Sequence, residues 1–267
     1  MQVLDVPLST FKVEQWHDGV FQGKQDCLAE ETPVALIYNG VSHAVMLATP
    51  QDLEDFVLGF SLSEGVLHNV SELYSVEVQI QENGIELHCE ISNERFATLK
   101  ERRRTLAGKT GCGLCGAESL VQAMRYPPLL EMKKVFMATS IVRGLHSMQL
   151  QQKLQQQTGA THASAYVLAD GTVSLIREDV GRHNALDKLI GALARQSKDE
   201  AGFIITTSRA SFEMVQKTAS AGVNMLVAVS APTGLAVRVA EMCGLTLLGF
   251  ARENRYVIYS HAESIVS

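Results

Sequence analysis

Two periods of apolar residues divide the chain. Up to about residue 98 the apolar positions recur mostly at every second residue, the spacing of β-strands. Pro33-Val34-Ala35-Leu36-Ile37-Tyr38 and Val41-Ser42-His43-Ala44-Val45-Met46 flank Asn39-Gly40. That dipeptide supplies the positive φ angles of a type I′ turn, so a β-hairpin is predicted. Ile85, Leu87, Cys89 and Ile91 alternate with Glu86, His88 and Glu90, which predicts a strand with one wet face. Between the two a helix is predicted from Thr49-Pro50. It carries Asp52, Glu54 and Asp55 in its first turn and Leu53, Phe56, Val57 and Phe60 at helical spacing.

Glycines and Pro127-Pro128 interrupt any regular element between residues 99 and about 137. Beyond them the pattern changes. Residues 141–157 predict a polar, glutamine-rich helix ending at Gly159, and Asp170-Gly171 joins segments 163–168 and 172–176 in a second hairpin. Helices and apolar strands then alternate: helix 183–195, strand 202–207, a helix capped by Ser208 or Ser211 and running through Lys217, strand 225–229, helix 233–243, and strands 245–250 and 256–259. Alternation at these lengths indicates an α/β layer domain. The expected class is therefore α/β, or α+β overall: a smaller β-rich N-terminal domain at 1–98, a loop and connection at 99–137, and an α/β domain at 138–267.

Composition narrows the partners. With 46% hydrophobic residues over 267 positions the chain is long enough for a sizeable core. No stretch is apolar for long enough to span a bilayer, and the first residues lack the succession of a signal peptide, so no membrane association and a cytoplasmic location are expected. The net charge of −6 argues against nucleic acid as a general partner. A local exception is the basic run Lys100-Glu101-Arg102-Arg103-Arg104 with Lys109. Five cysteines, an odd count at irregular spacing, do not form a disulfide framework. Cys27, Cys89 and Cys243 sit among apolar or mixed neighbours and are read as packed thiols.

Directly behind the basic run, Thr110-Gly111-Cys112-Gly113-Leu114-Cys115-Gly116 places two thiols in a glycine-padded segment. Neighbouring cations, backbone N–H groups and a Cys-x-x-Cys spacing all favour the reactive thiolate. Three chemistries use such a pair: half of a zinc site, dithiol–disulfide exchange, or carriage of sulfur as a persulfide. A closed zinc site lacks its other ligands here. His88-Cys89-Glu90 ahead of Cys112 and Cys115 follows the order of zinc-dependent nucleobase deaminases, but His88 and Glu90 belong to the polar face of a strand and no proline precedes Cys112. Thioredoxin-like exchange needs the pair at a helix start. A glycine-rich carrier loop, whose sulfur visits two sites, fits the residues best, so Cys112 and Cys115 are the candidate catalytic residues and no metal is expected.

Three polar runs follow predicted strands, where open α/β sheets bind ligands. They are Arg177-Glu178-Asp179-Val180-Gly181-Arg182-His183-Asn184, Thr206-Thr207-Ser208-Arg209-Ala210-Ser211, and Phe250-Ala251-Arg252-Glu253-Asn254-Arg255. The first two lead into helices, whose N-terminal amides suit phosphate, and Arg182, His183, Ser208 and Arg209 are candidate ligand contacts. In the third, arginines bracketing a turn suit a diphosphate, and Glu253 or Asn254 suits the edge of a base.

Together these runs, with Glu30-Glu31-Thr32-Pro33-Val34-Ala35, Leu58-Gly59-Phe60-Ser61-Leu62-Ser63-Glu64-Gly65 and Glu213-Met214-Val215-Gln216-Lys217, resemble the FdhD family of sulfur carriers required for formate dehydrogenase activity. The resemblance extends nearly from end to end. It implies that a cysteine desulfurase delivers sulfur to Cys112, with Cys115 also important. It further implies that the sulfur passes to a molybdenum cofactor, bis-molybdopterin guanine dinucleotide, before that cofactor enters formate dehydrogenase. The segment Phe250, Ala251, Arg252, Glu253, Asn254 and Arg255 is implied to hold the cofactor. A cytidine deaminase-like three-layer C-terminal domain and a homodimer are implied as well. A cofactor-binding chaperone without covalent sulfur chemistry is the alternative. Where some relatives carry a cysteine this chain has Ala160, so no third thiol stands near His162.

Overall fold

The structure, a computed structural model, describes residues 5–107, 126–130, 134–196 and 200–267. Cys112 and Cys115 lie outside the described residues, as does most of the connection between the two predicted domains.

The N-terminal part begins with a two-stranded ribbon, β1 (Leu8–His17) and β2 (Val20–Ala29), exposed along much of both faces. A four-stranded sheet follows, in the order β4 (Val41–Ala48), β3 (Thr32–Tyr38), β6 (Gly84–Ile91), β5 (Leu73–Gln81). Asn39 and Gly40, at φ 45° and 77°, make the predicted turn between β3 and β4. Val34, Leu36 and Tyr38 alternate inward with Ile85, Leu87 and Cys89 of the parallel neighbour β6, and pack on Phe56, Val57 and Phe60 of α1 (Leu53–Ser63). Helix α2 (Asn93–Ala107) contributes Leu99 to this core and runs through the 98/99 boundary drawn from the sequence.

The C-terminal part is built on a six-stranded sheet. Its order is β13 (Arg255–Ser260), β12 (Thr246–Arg252), β11 (Met225–Ala228), β10 (Gly202–Thr206), β8 (His162–Leu168), β9 (Val173–Asp179). β10, β11 and β12 are parallel, and antiparallel strands close both edges. The central strands are buried on both faces, which is why they read as continuous apolar runs. Ile204, Leu226 and Leu247 face α5 (Arg182–Ala194), α6 (Phe212–Ser220) and α7 (Gly234–Cys243). Phe203, Ile205 and Val227 face α3 (Ala138–Gln151) on the other side. The result is a three-layer α/β/α arrangement. β7 (Phe136–Met137) pairs with the final strand β14 (Ile265–Val266) at one margin.

The predicted helix 141–157 is two helices, α3 and α4 (Lys153–Thr158), broken at Gln152. Its cause is Glu178, whose carboxylate accepts hydrogen bonds from the Leu154 and Gln155 amides at 3.0 and 2.9 Å and so starts a new helix there. The predicted helix at Thr49-Pro50 likewise begins later, at Leu53. The Thr49 amide bonds instead to Asp179 at 3.0 Å, and its carbonyl accepts from the Lys188 ammonium at 2.9 Å.

The two parts meet where α1 crosses α5 over paired glycines. A Cβ added at Gly59 would stand 1.7 Å from the Asp187 carbonyl oxygen, and one added at Gly191 1.9 Å from that of Asp55, so no side chain fits. Two buried ionic clusters rivet the junction. In one, Lys188 Nζ lies 2.7 Å from Asp179 Oδ2 with both side chains fully buried. Asn184 Nδ2 binds Asp179 Oδ1 at 3.0 Å and the Leu47 carbonyl at 2.8 Å. In the other, Lys217 Nζ reaches Asp187 at 3.0 Å, Ser63 Oγ at 2.9 Å and Glu64 at 2.8 Å.

Candidate functional site

All three polar runs singled out in the sequence come to one end of the six-stranded sheet. β9 ends at Asp179, β10 at Thr206 and β12 at Arg252, while β8 and β13 start there at His162 and Arg255. A cavity of about 550 Å³ opens at this end. Its floor and one wall are Ala251, Arg252, Glu253, Asn254 and Arg255; the facing wall comes from α3 and the break after it, through Leu145, Met148, Gln149 and Gln152. Thr207 and Val229 complete it from the ends of β10 and β11.

Local chemistry shapes the arginine turn. Arg252 pairs with Arg255 across the last rung of the β12–β13 ladder, leaving Glu253 and Asn254 as a two-residue turn. The ladder is irregular between Gly249 and Arg252, and Phe250 takes φ 53° in the left-handed region. This places Phe250 outward, about half exposed, with its amide bonded to the Ser230 carbonyl at 3.2 Å. Ala251 therefore faces the cavity and Phe250 does not. Arg252 is fixed by Nη1 hydrogen bonds to the carbonyls of Val229 at 2.5 Å and Ala251 at 3.1 Å. A rigid guanidinium beside a second one on an exposed turn presents a fork suited to phosphate oxygens. Gln149 and Gln152 add amide donors and acceptors, and Met148 and Leu145 an apolar wall, so polar and apolar groups line the cleft together.

Arg182, His183, Ser208 and Arg209 stand beside this cavity rather than in its lining. Arg182 and His183 are the first residues of α5, and His183 Nε2 lies 2.8 Å from Glu213 Oε2 on α6. Ser208 is buried, donates to the Arg209 carbonyl at 2.9 Å and lies 3.2 Å from Thr206 Oγ1; Arg209 is exposed. Between the two groups sits His162. Its Nδ1 is 3.2 Å from Thr207 Oγ1, which also accepts from the Ala163 amide at 3.0 Å. Burial, reinforced by the Arg182 cation, pushes the His162 imidazole below its ordinary value.

The neighbouring acids are structural. Glu178 caps α4 and Asp179 neutralises Lys188, so both acids of the first polar run support the fold. Sequence reasoning missed Leu145, Met148, Gln149 and Gln152, which had the look of a plain glutamine-rich tract. Their signal is the helix break at Gln152, created by a carboxylate distant in sequence.

Cys89 and Cys243 are placed away from this end. Cys89 faces the core from β6, opposite to His88, whose Nε2 lies 2.9 Å from Glu86. Burial, with a smaller effect of Glu90, pushes the Cys89 thiol up to about 12, and burial also raises that of Cys243. Cys27 is half-buried on the ribbon, so the reading of it as a packed thiol holds only in part. Among the described residues no group of His, Cys, Asp and Glu is arranged to hold a metal ion. Nor is any helix among them long and apolar enough to cross a membrane. Iodoacetamide applied to the folded protein at mildly alkaline pH is expected to leave Cys89 and Cys243 unlabelled until denaturant is added. Peptide mass mapping checks this, and fast native labelling of either would contradict their burial.

The fold defines an α+β protein with a cleft at the strand ends of its larger sheet. The profile of the FdhD/NarQ family matches residues 29–266, and the chain belongs to that family. It is 56% identical over 258 residues to the sulfur carrier protein FdhD of Cupriavidus necator, covering 96% of this chain and 90% of the relative. It is 53% identical to that of Bordetella petrii, covering 91% and 87%. A crystallised protein from Desulfotalea psychrophila, assigned as a formate dehydrogenase accessory protein, shares the fold with a TM-score of 0.75 at 24% identity. The match covers 97% of this chain and 99% of that one.

Proposed function

We propose that this chain is a sulfur carrier that takes persulfide sulfur from a cysteine desulfurase and passes it to a bis-molybdopterin guanine dinucleotide bound in the cleft, before that cofactor enters formate dehydrogenase. The family and the names of its members support the carrier role. The observation that carries the cofactor reading is the cleft itself: two arginines bracketing a turn, opposite an amide-bearing wall. In this reading Arg252 and Arg255 hold the diphosphate, and Glu253 or Asn254 reads the edge of the guanine. The three-layer domain is read as cytidine deaminase-like, and the working assembly as a homodimer in the cytoplasm.

The covalent steps balance with the two loop thiols alone. Cys112 thiolate attacks the outer sulfur of the desulfurase persulfide; a new S–S bond forms on Cys112, and the desulfurase cysteine leaves as thiolate. Cys115 thiolate then attacks the Cys112 sulfur. A Cys112–Cys115 disulfide forms as the outer sulfur departs at the level of hydrosulfide, ready to become a ligand of the substrate's molybdenum. Glycine amides and the cations at Arg102, Arg103, Arg104 and Lys109 favour the anionic sulfur at each stage. The activity is thus sulfurtransferase-like.

GDP serves as a probe for the cleft. Titration calorimetry is expected to show binding to the wild-type chain and a loss of about tenfold or more in Arg255→Gln, the size of a lost charge-assisted hydrogen bond. Equal affinity of the two proteins would remove the cleft from the account.

A further inference from the structure

Three buried side-chain polar atoms without a hydrogen-bond partner gather at the sheet end, a short way from the arginine cleft: Ser164 Oγ, Arg182 Nε and Ser211 Oγ. Arg182 and His183 open α5, behind Gly181 at its N-cap. Ser211 is the N-cap of α6, yet its hydroxyl makes no capping bond. Ser164 is fully buried and pairs with Thr206 across β8 and β10. Its side chain lies on the same face as Tyr166, which packs toward α5 and α6, and its position near the start of β8 puts it under the beginnings of those helices. The contact of His183 with Glu213 holds the two helix starts side by side.

Buried polar groups are nearly always paired, because one left alone keeps the full cost of leaving water. Several in one place call for a common partner. The residues around them have been accounted for: Glu178 and Asp179 are spent on α4 and Lys188, and Ser208 on the Arg209 carbonyl. What remains is a guanidinium, two hydroxyls and the first-turn amides of two adjacent helices, the donors that an oxyanion needs. Burial lowers the His183 imidazole below its ordinary value against the pull of Glu213.

We propose that the starts of α5 and α6 form a binding site for a tetrahedral oxyanion, a phosphate group or its inorganic equivalent, held by Arg182 and the hydroxyls of Ser164 and Ser211. The proposal deepens the reading of Arg182 and His183 as ligand-facing groups. It makes them a site of their own, joined to the arginine cleft through His162 and Thr207.

Calorimetric titration of the full chain with inorganic phosphate tests it, with GDP as a second titrant. Phosphate is expected to bind the wild-type protein, and Arg182→Gln and Ser211→Ala each to weaken it by about tenfold, while Arg255→Gln changes it by less than about twofold. Circular dichroism confirms that each variant is folded. Unchanged phosphate binding in both folded variants, or none to the wild-type chain, overturns the proposal. If phosphate displaces GDP and Arg182→Gln weakens both, the oxyanion is the nucleotide's own phosphate; if the two bind independently, it is a separate ligand. Phosphate binding that depends on Arg182, in a protein that does not bind GDP, would refute the cleft reading and leave this site standing.

Discussion

Replacing Lys217 with methionine is expected to cost about 3–5 kcal/mol of stability, because it leaves a carboxylate buried without its cation. Asp187 is 1% exposed and Lys217 5%, so neither charge can turn to water for compensation. Burial works against the Lys217 ammonium, but the carboxylates of Asp187 and Glu64 outweigh it and hold the amine above its ordinary value. The same ammonium binds Ser63 Oγ at 2.9 Å, and Ser63 Oγ donates to Asp187 Oδ1 at 2.7 Å. Truncation therefore disturbs α1, α5 and α6 together. Urea denaturation checks the magnitude. In the double variant Lys217→Met with Asp187→Leu much of the loss should return, since no buried charge is then left unpaired. A single variant as stable as the wild-type chain would show that the cluster does not hold the two parts together.

The second large effect concerns function. Cys112→Ala is expected to fold and to bind GDP as the wild-type chain does, yet to leave formate dehydrogenase inactive in cells that depend on this carrier. The reasoning is chemical: without the attacking sulfur no S–S bond can form, and a methyl group has no means of carrying sulfur. Binding stays intact because Arg252, Arg255 and the facing glutamines belong to elements far along the chain from the loop. The assay is formate oxidation in extracts of a carrier-deficient strain complemented with either gene. Full activity with the alanine variant would take Cys112 out of the mechanism.

Much of the architecture can be read from local chemistry. Asn39-Gly40 specifies its hairpin because few other dipeptides take positive φ twice. β10 and β11 are legible because both faces of each strand are apolar. The errors are of one kind. Thr49-Pro50 has the pattern of a helix start, but Asp179 and Lys188 hold the Thr49 backbone from more than a hundred residues away. Residues 141–157 look like one helix until Glu178 ends it at Gln152. Helix α2 hides in a stretch where six charged residues from Lys100 to Lys109 leave the large apolar residues Phe96, Leu99 and Leu106 too sparse to set a period.

The site divides in the same way. Arg252 to Arg255 could be recognised because a tight turn between strands concentrates its charges locally. The opposite wall exists only once the sheet places α3 beside it. Glu178 and Asp179 fall within a charged run at a strand end, and only the fold shows that they are spent on a helix cap and a lysine.

The most direct test of a sulfur-carrying role is the intact mass of the protein after incubation with a cysteine desulfurase and free cysteine. The account predicts an added sulfur mass that maps to the peptide holding Cys112 and Cys115, disappears on reduction, and is absent in Cys112→Ala. An unchanged mass, in a protein that still binds GDP, would contradict it and leave a chaperone that holds its cofactor without touching the sulfur.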